Sequence, residues 1–308
     1  MSTKALSGSD APVRRRARPR LGMPRRLLLM AVPGLAFYAF VLVVPSLQGS
    51  TFAFTDWNGL DADWSFVGLQ NFVEVFTRPA SLRALFVTLI LAVVVTIVQN
   101  ALGLAFALGV HARVKSRFAL RVILFTPAVL TPIVAAYLWK FILAPDGPLN
   151  TVLRSLGLPA VSWLGDPTWA LVSIIIVICW QYAGYSMVVF LAGLESIPAD
   201  ILEAAAVDGA GPLRRFWSVT FPLLAPALTI NLVLTVIVQM KQFDHVFVLT
   251  GGGPGGSTHT ISTLIYQDAF QYGKYGTSTA LAVVLTLLIA VLSIAQYRGL
   301  LRREEAMS

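Results

Sequence analysis

Six long, predominantly apolar stretches of this chain carry no Asp, Glu, Lys or Arg: residues 27–48, 84–110, 122–139, 167–194, 216–240 and 275–297. A run of about 20 apolar residues crosses the hydrocarbon core of a bilayer as a helix, because in lipid the backbone must satisfy its own N–H and C=O groups. The reading is therefore all-α, a polytopic membrane protein with six transmembrane helices. The composition agrees: 12% of residues are charged, against about 25% in a soluble domain. Pro127 and Pro132 interrupt the third run and predict a kink there. The first run follows an Arg-rich head but is too long for a signal-peptide core and lacks a small-x-small cleavage site, so it reads as a retained helix.

Orientation follows from Lys and Arg in the short connections. Lys4, Arg14, Arg15, Arg16, Arg18, Arg20, Arg25 and Arg26 precede the first run. Arg113, Lys115, Arg117 and Arg121 lie between the second and third, Arg214 and Arg215 between the fourth and fifth, and Arg298, Arg302 and Arg303 after the sixth. Alternation puts these 17 of the 23 basic residues on one side, the cytoplasm, together with both termini. The net charge of +8 is thus a topology signal, and it lends no support to a nucleic-acid partner. Residues 1–26 read as a disordered cytoplasmic tail attracted to the anionic headgroups of the lipid bilayer. Residues 27–83 form the first span and an extracytoplasmic loop, 84–297 a core of five spans, and 298–308 a second tail.

The connection between the fourth and fifth runs is the exception. It carries Glu195, Asp200, Glu203 and Asp208 against two arginines. Ser196 is placed to cap a helix with Pro198 near its first turn; Ile201, Leu202, Ala205 and Ala206 give it an apolar stripe. Asp208-Gly209 supplies a stop, and Gly211-Pro212 starts a second helix that runs into the fifth span at Pro222. The expected product, over 196–221, is a helix-turn-helix at the membrane surface.

This connection resembles a motif of the permeases of binding-protein-dependent ABC importers: Glu-Ala-Ala, three residues, Gly, nine residues, Ile-x-Leu-Pro. Here it stands as Glu203-Ala204-Ala205, Gly209, then Val219-Thr220-Phe221-Pro222, with Val and Phe as conservative departures. A second segment, Leu249-Thr250-Gly251-Gly252-Gly253-Pro254, together with Phe66-Val67-Gly68-Leu69-Gln70-Asn71-Phe72, is similar to the maltose-permease-like, carbohydrate-importing members. The resemblance spans about 27–297. It implies the type I permease fold and a prokaryotic cytoplasmic membrane. It also implies alternating access driven by a separate ATPase docked on Glu203, Ala204, Ala205, Asp208, Gly209, Val219 and Pro222. The implied partners are a second, non-identical permease, two ATP-binding-cassette subunits that hold ATP and Mg, and an extracytoplasmic solute-binding protein touching Gly251, Gly252, Gly253 and Pro254.

Catalytic chemistry has little to build on. Gly251, Gly253 and Gly256 match G-x-G-x-x-G, and 251–258 approaches a P-loop, but Ser257 stands where Lys is required and no βαβ context surrounds the loop. It reads instead as a flexible re-entrant turn. His111, His245 and His259 lack metal-ligand spacing, no nucleophile elbow occurs, and Cys179 reads as core packing. No catalytic residue, metal or bound cofactor is expected.

Polar residues do occur inside the runs: Gln99, Asn100, Gln181, Tyr182, Tyr185, Asn231 and Gln239, followed by Lys241, Gln242 and Asp244. In lipid they must face other helices or a wet cavity. Amides bond to hydroxyls and rings stack on sugar faces, so Gln181, Tyr182, Tyr185, Asn231, Gln239 and Asp244 are the candidates for a sugar pathway. Glycerol 3-phosphate or another polyol derivative is the alternative solute, with Lys241 the only nearby cation. A gradient-driven secondary transporter, from another class, leaves the 203–222 motif unexplained.

Overall fold

The computed structural model describes residues 25–111 and 116–307, with side chains over 30–111 and 116–302. The expected disordered tail up to residue 24, with its basic residues, and Arg113 and Lys115 lie outside the described residues.

The described residues up to Gln48 form one unit and those from Gly49 onward another. In the first, α1 (Arg25–Tyr38) passes through a π-helical turn, Ala39–Val43, into α2 (Val44–Thr51). The apolar side chains of Met30, Leu35, Phe37 and Phe40 are exposed, as a lipid-facing span requires. In the second, a 3-10 turn (Phe52–Phe54) and a single antiparallel bridge, Thr55 to Phe66, precede α3 (Gln70–Thr77). Next comes α4 (Pro79–His111), whose 33 residues give a length of about 50 Å at 1.5 Å per residue.

The third run is not one kinked helix. It is two helices, α5 (Arg117–Val129) and α6 (Pro132–Ile142), meeting at 97°. Proline disfavours the helical conformation in the residue before it. Thr131, before Pro132, is extended at ψ 146°, and Leu130 beside it at ψ 144°. Two successive extended residues turn the chain aside. The freed backbone groups find partners, one local and one distant: Thr131 Oγ1 accepts from the Val134 N–H at 3.4 Å, and the Leu130 carbonyl accepts from Gln181 Nε2 at 2.9 Å.

The chain continues through α7 (Pro148–Ser155) to α8 (Pro167–Glu195). The α8 start has Pro167 at its first position and Asp166 as cap, accepting from Thr168 N–H at 2.9 Å and Trp169 N–H at 3.0 Å. Beyond it are α9 (Ala199–Val207), α10 (Pro212–Arg215), a π-helical turn (Phe216–Thr220), α11 (Phe221–Leu223) and α12 (Ala225–Met240).

Two expectations change here. Ser196 does not cap α9: its backbone is still helical and its hydroxyl donates back to the Gly193 carbonyl at 2.7 Å, closing α8, while Pro198 occupies the cap position of α9. The fifth span is also not straight from 216, because the segment Pro212–Leu223 meets Ala225–Met240 at 66°. Pro226 has no N–H to return to the Pro222 carbonyl four residues back, so the helical ladder is cut at Leu224. Last come α13 (Asp244–Leu249), α14 (Ile261–Phe270) and α15 (Tyr275–Met307). The last helix continues past Tyr297, through the segment read as a tail.

α4 and α8 form the centre of the second unit, with α12 against α4 and α5 against α8. Small residues permit the close approach that interhelical dispersion needs in lipid. A Cβ at Gly103 would strike Ser186, and one at Gly184 would strike the Leu124 carbonyl. Leu91, Val95, Ile174, Ile178 and Val246 bury one apolar cluster, and Val110, Met187, Phe190 and Leu224 another toward the opposite end.

Candidate functional site

A half-open cavity of about 340 Å³ lies between α4, α8 and α12. Its walls are Gln99, Tyr182, Tyr185, Thr235 and Gln239, with Leu234 and Val238. None is charged. Gln99 Nε2 donates to Ser186 Oγ at 2.9 Å, which fixes the amide and leaves Gln99 Oε1 without a partner. Gln239 Oε1 is likewise unpartnered. Both side chains are almost wholly buried, at 3% and 1% exposure, and an unpaired buried acceptor costs about 1–3 kcal/mol. A ligand donating hydroxyl protons would relieve that cost.

Of the expected pathway residues, the structure brings Tyr182, Tyr185 and Gln239 together on this wall. Gln181 points elsewhere: its amide donates to the Leu130 carbonyl and its oxygen meets His245 Nε2 at 2.6 Å. Asn231 is fully buried and donates to Asn100 Oδ1 at 2.7 Å, the member of a ladder that includes Thr235. Asp244 is half-buried at the head of α13 and is not among the cavity's walls. Gln99 and Thr235 were not among the expected pathway residues. The signal for Thr235 is its spacing: Asn231, Thr235 and Gln239 recur every four residues and so share one helix face.

The segment from α9 to α11 places the motif residues at the far end of α8. α9 ends in a Schellman turn: the Gly209 N–H donates to the Ala206 carbonyl at 3.1 Å, and the Ala210 N–H reaches Ala205 at 3.0 Å. Gly209 has φ +76°, which a side chain would disfavour, and open space around it. Glu203, Ala204 and Asp208 are exposed, Ala205, Val219 and Pro222 half-buried. Val207, Leu213 and Trp217 add exposed apolar surface; Trp217 packs on Phe216 and Phe221, with centroids 5.0 and 5.2 Å away. Arg121 pairs with Glu195 at 3.0 Å at the foot of this segment.

At the other end, the glycine loop is knit rather than loose. The Thr258 hydroxyl donates to the Gly253 carbonyl at 2.6 Å and shares a 2.8 Å bond with Thr250, and the Thr258 N–H reaches Gly252 at 3.1 Å. Gly251 and Gly252 have φ of +60° and +88°, and a Cβ at Gly252 would strike the His259 ring. Burial holds the His259 imidazole below its ordinary pKa. Nearby, Arg78 pairs with the buried Asp268 at 2.6 Å, and this bond holds the guanidinium pKa above its ordinary value. Among the described residues no group of three His, Cys, Asp or Glu is placed to hold a metal ion.

The sequence family described as "Binding-protein-dependent transport system inner membrane component" matches residues 99–304. The multiple sugar-binding transport system permease protein MsmF of Streptococcus mutans is 34% identical over 256 residues, covering 82% of this chain and 88% of that one. The trehalose/maltose transport system permease protein MalF of Thermococcus litoralis is 35% identical over 282 residues, covering 88% and 93%. In structure, a chain of a bacterial ABC transporter involved in the import of the acidic polysaccharide alginate superposes with a TM-score of 0.80 at 25% identity, covering 90% of this chain and 96% of that one.

Proposed function

Because this chain belongs to the family of binding-protein-dependent transport system inner membrane components, we propose that the solute it carries is a sugar or a sugar-like polyol, bound in the α4–α8–α12 cavity. The observation that carries this reading is the pair of unpartnered amide oxygens, Gln99 Oε1 and Gln239 Oε1, in an uncharged wall with two tyrosines. Acceptors of this kind match hydroxyl donors, and the rings offer faces for a sugar's C–H groups. The names of the relatives, which include sugar and trehalose/maltose permeases, point the same way. A phosphorylated solute would call for a cation in the wall, and Lys241 is not among the wall residues.

In this reading the importer comprises a second, different permease, two ATPase subunits binding ATP and Mg, and a solute-binding protein outside. The chain lies in a prokaryotic cytoplasmic membrane with both termini inside, as the basic residues predict. The ATPase receives the α9–α11 segment, where exposed Val207, Leu213 and Trp217 supply apolar contact and Glu203 orients it. Closure of the ATPase dimer would carry that segment as a body. α12 would pass the motion to Gln239 and so alternate the side on which the cavity opens.

The test is uptake by the assembled importer in proteoliposomes, comparing neutral di- and oligosaccharides with glycerol 3-phosphate. ATP-dependent uptake of a neutral sugar, reduced by Gln239→Leu with assembly intact, is expected. Uptake of the phosphate ester alone, or by this chain without an ATPase, would overturn the reading.

A further inference from the structure

Two connections that are remote in sequence, before α3 and between α12 and α15, converge on one row of aromatic rings. It begins just past the cavity wall, where Phe243 stacks on Phe247 at 5.0 Å, and Tyr266 touches Phe247 at 5.1 Å and Phe270 at 5.3 Å. From Phe270 the row passes to Tyr275 at 5.7 Å and on to Trp57 at 5.5 Å. It ends in the loop before α3, with Trp57 stacked on Phe52 at 4.2 Å and Phe52 meeting Trp64 at 6.3 Å.

Exposure along the row is uneven. Phe247, Phe270 and Trp64 stand out at 40%, 66% and 52% exposure. Between them Tyr266, Tyr275, Trp57 and Phe52 are half-buried and prop the exposed rings. Gly59, at φ +88°, lets its turn lie directly on the Tyr275 ring, where a Cβ would collide, so the loop is seated on the row. An aromatic belt at a bilayer interface places rings at the ends of spans. These rings touch one another, and most of them come from connections.

We propose that this row is a carbohydrate track, on which separate rings of one saccharide chain stack on Phe247, Phe270 and Trp64 on their way to the cavity. It rests on the sugar reading above. Proximity supports it: Phe243 lies four residues beyond Gln239 of the cavity wall, just past the end of α12 at Met240, so the row begins next to the cavity in the chain. The loop that carries Trp57 is fixed from within: Asn58 Nδ2 donates to Asp61 Oδ2 at 2.6 Å and Trp57 Nε1 to the Asp61 carbonyl at 2.9 Å, so the ring faces are held in place. A longer saccharide engages more platforms at once, so the track favours oligosaccharides over single sugars.

The experiment uses the assembled importer in lipid nanodiscs, with maltose, maltotriose and maltohexaose as probes and saturation transfer from aromatic protons as the readout. Phe270→Ala and Trp64→Ala should each weaken maltohexaose binding about threefold to tenfold, the range of a single aromatic contact, with less effect on maltose. Phe270→Tyr and Trp64→Phe should restore it. Gln239→Leu should spare track binding while lowering uptake, which separates failure of the track from failure of the cavity. Absence of transfer in the wild type, or unchanged binding in the Phe247→Ala, Phe270→Ala, Trp64→Ala triple variant, overturns the proposal. So does a triple variant that keeps sugar binding but no longer captures the solute-binding protein, which would make the row a protein docking surface.

Discussion

Gln181 and His245, 64 positions apart and both wholly buried, meet through a 2.6 Å hydrogen bond between Oε1 and Nε2. The Gln181 amide nitrogen already donates to Leu130, so its oxygen is an acceptor, and His245 must carry its proton on Nε2. His245 Nδ1 then accepts from Gln242 Nε2. One glutamine on α8 thus ties the break of the third span to the short helix α13.

Removing that glutamine should be costly. Gln181→Leu strands the Leu130 carbonyl and the His245 N–H, each worth about 1–3 kcal/mol when buried and unpaired. The purified variant should melt several degrees below the wild type in detergent. An unchanged melting temperature would show that the bridge carries no stability.

The two amides of α12 should separate in their effects. Asn231→Leu removes the donor that satisfies Asn100 Oδ1, so loss of stability and yield is expected. Gln239→Leu removes an oxygen that has no partner among the described residues. It should fold normally and weaken uptake about tenfold, the worth of one hydrogen bond of about 1.4 kcal/mol to a solute hydroxyl. Uptake kinetics across a concentration series, paired with thermal melts, distinguish the two; equal behaviour of both variants would contradict this division.

Gly209→Val forces a β-branched residue to φ +76°, at a cost of about 1–2 kcal/mol. The Schellman turn should deform, and uptake should fall relative to ATP hydrolysis in the assembled importer. Gly209→Asn, which tolerates the left-handed conformation, should retain most transport. Wild-type coupling ratios in the valine variant would rule out a need for this turn.

The glycine loop should lose stability in acid. His259 is half-buried, and burial lowers its pKa more than Asp268 raises it, with Arg78 lowering it further. Its folded pKa lies below the unfolded value of about 6.5. The unfolded loop therefore binds the proton first: stability is complete above about 6.5 and declines as pH falls through the lower folded value. Proteolytic cleavage within 251–260 should speed up between pH 7.5 and pH 5. His259→Gln should flatten that dependence, and an equally steep profile in the variant would assign it to another group.

What was legible in sequence was whatever local chemistry decides. Absence of charge located the spans, and Asp208-Gly209 marked the end of α9 because only glycine takes that backbone conformation without strain. Asn231 and Gln239 were equally visible as amides on one helix face, yet which of them met a cavity was settled by α4, where Asn100 stands opposite the first. The 97° break had its proline in plain view. Its size was not, since it depends on Leu130 having a donor on another helix. Ser196 has the chemistry of a cap, but the preceding helix used it first.

The divided third span has a mechanical consequence. Its first half, α5, is packed on α8, with Gly184 against the Leu124 backbone; its second half, α6, is packed on α13, with Lys140 Nζ holding the Val248 carbonyl at 2.9 Å. A continuous helix would make both ends of the span travel together. Here both arms touch α8, the second through Trp139 against Trp180, but only the second touches α13, and the two are joined at Leu130 and Thr131. The span has the shape of a bell crank, two arms at 97° meeting at two extended residues rather than one rod through the membrane.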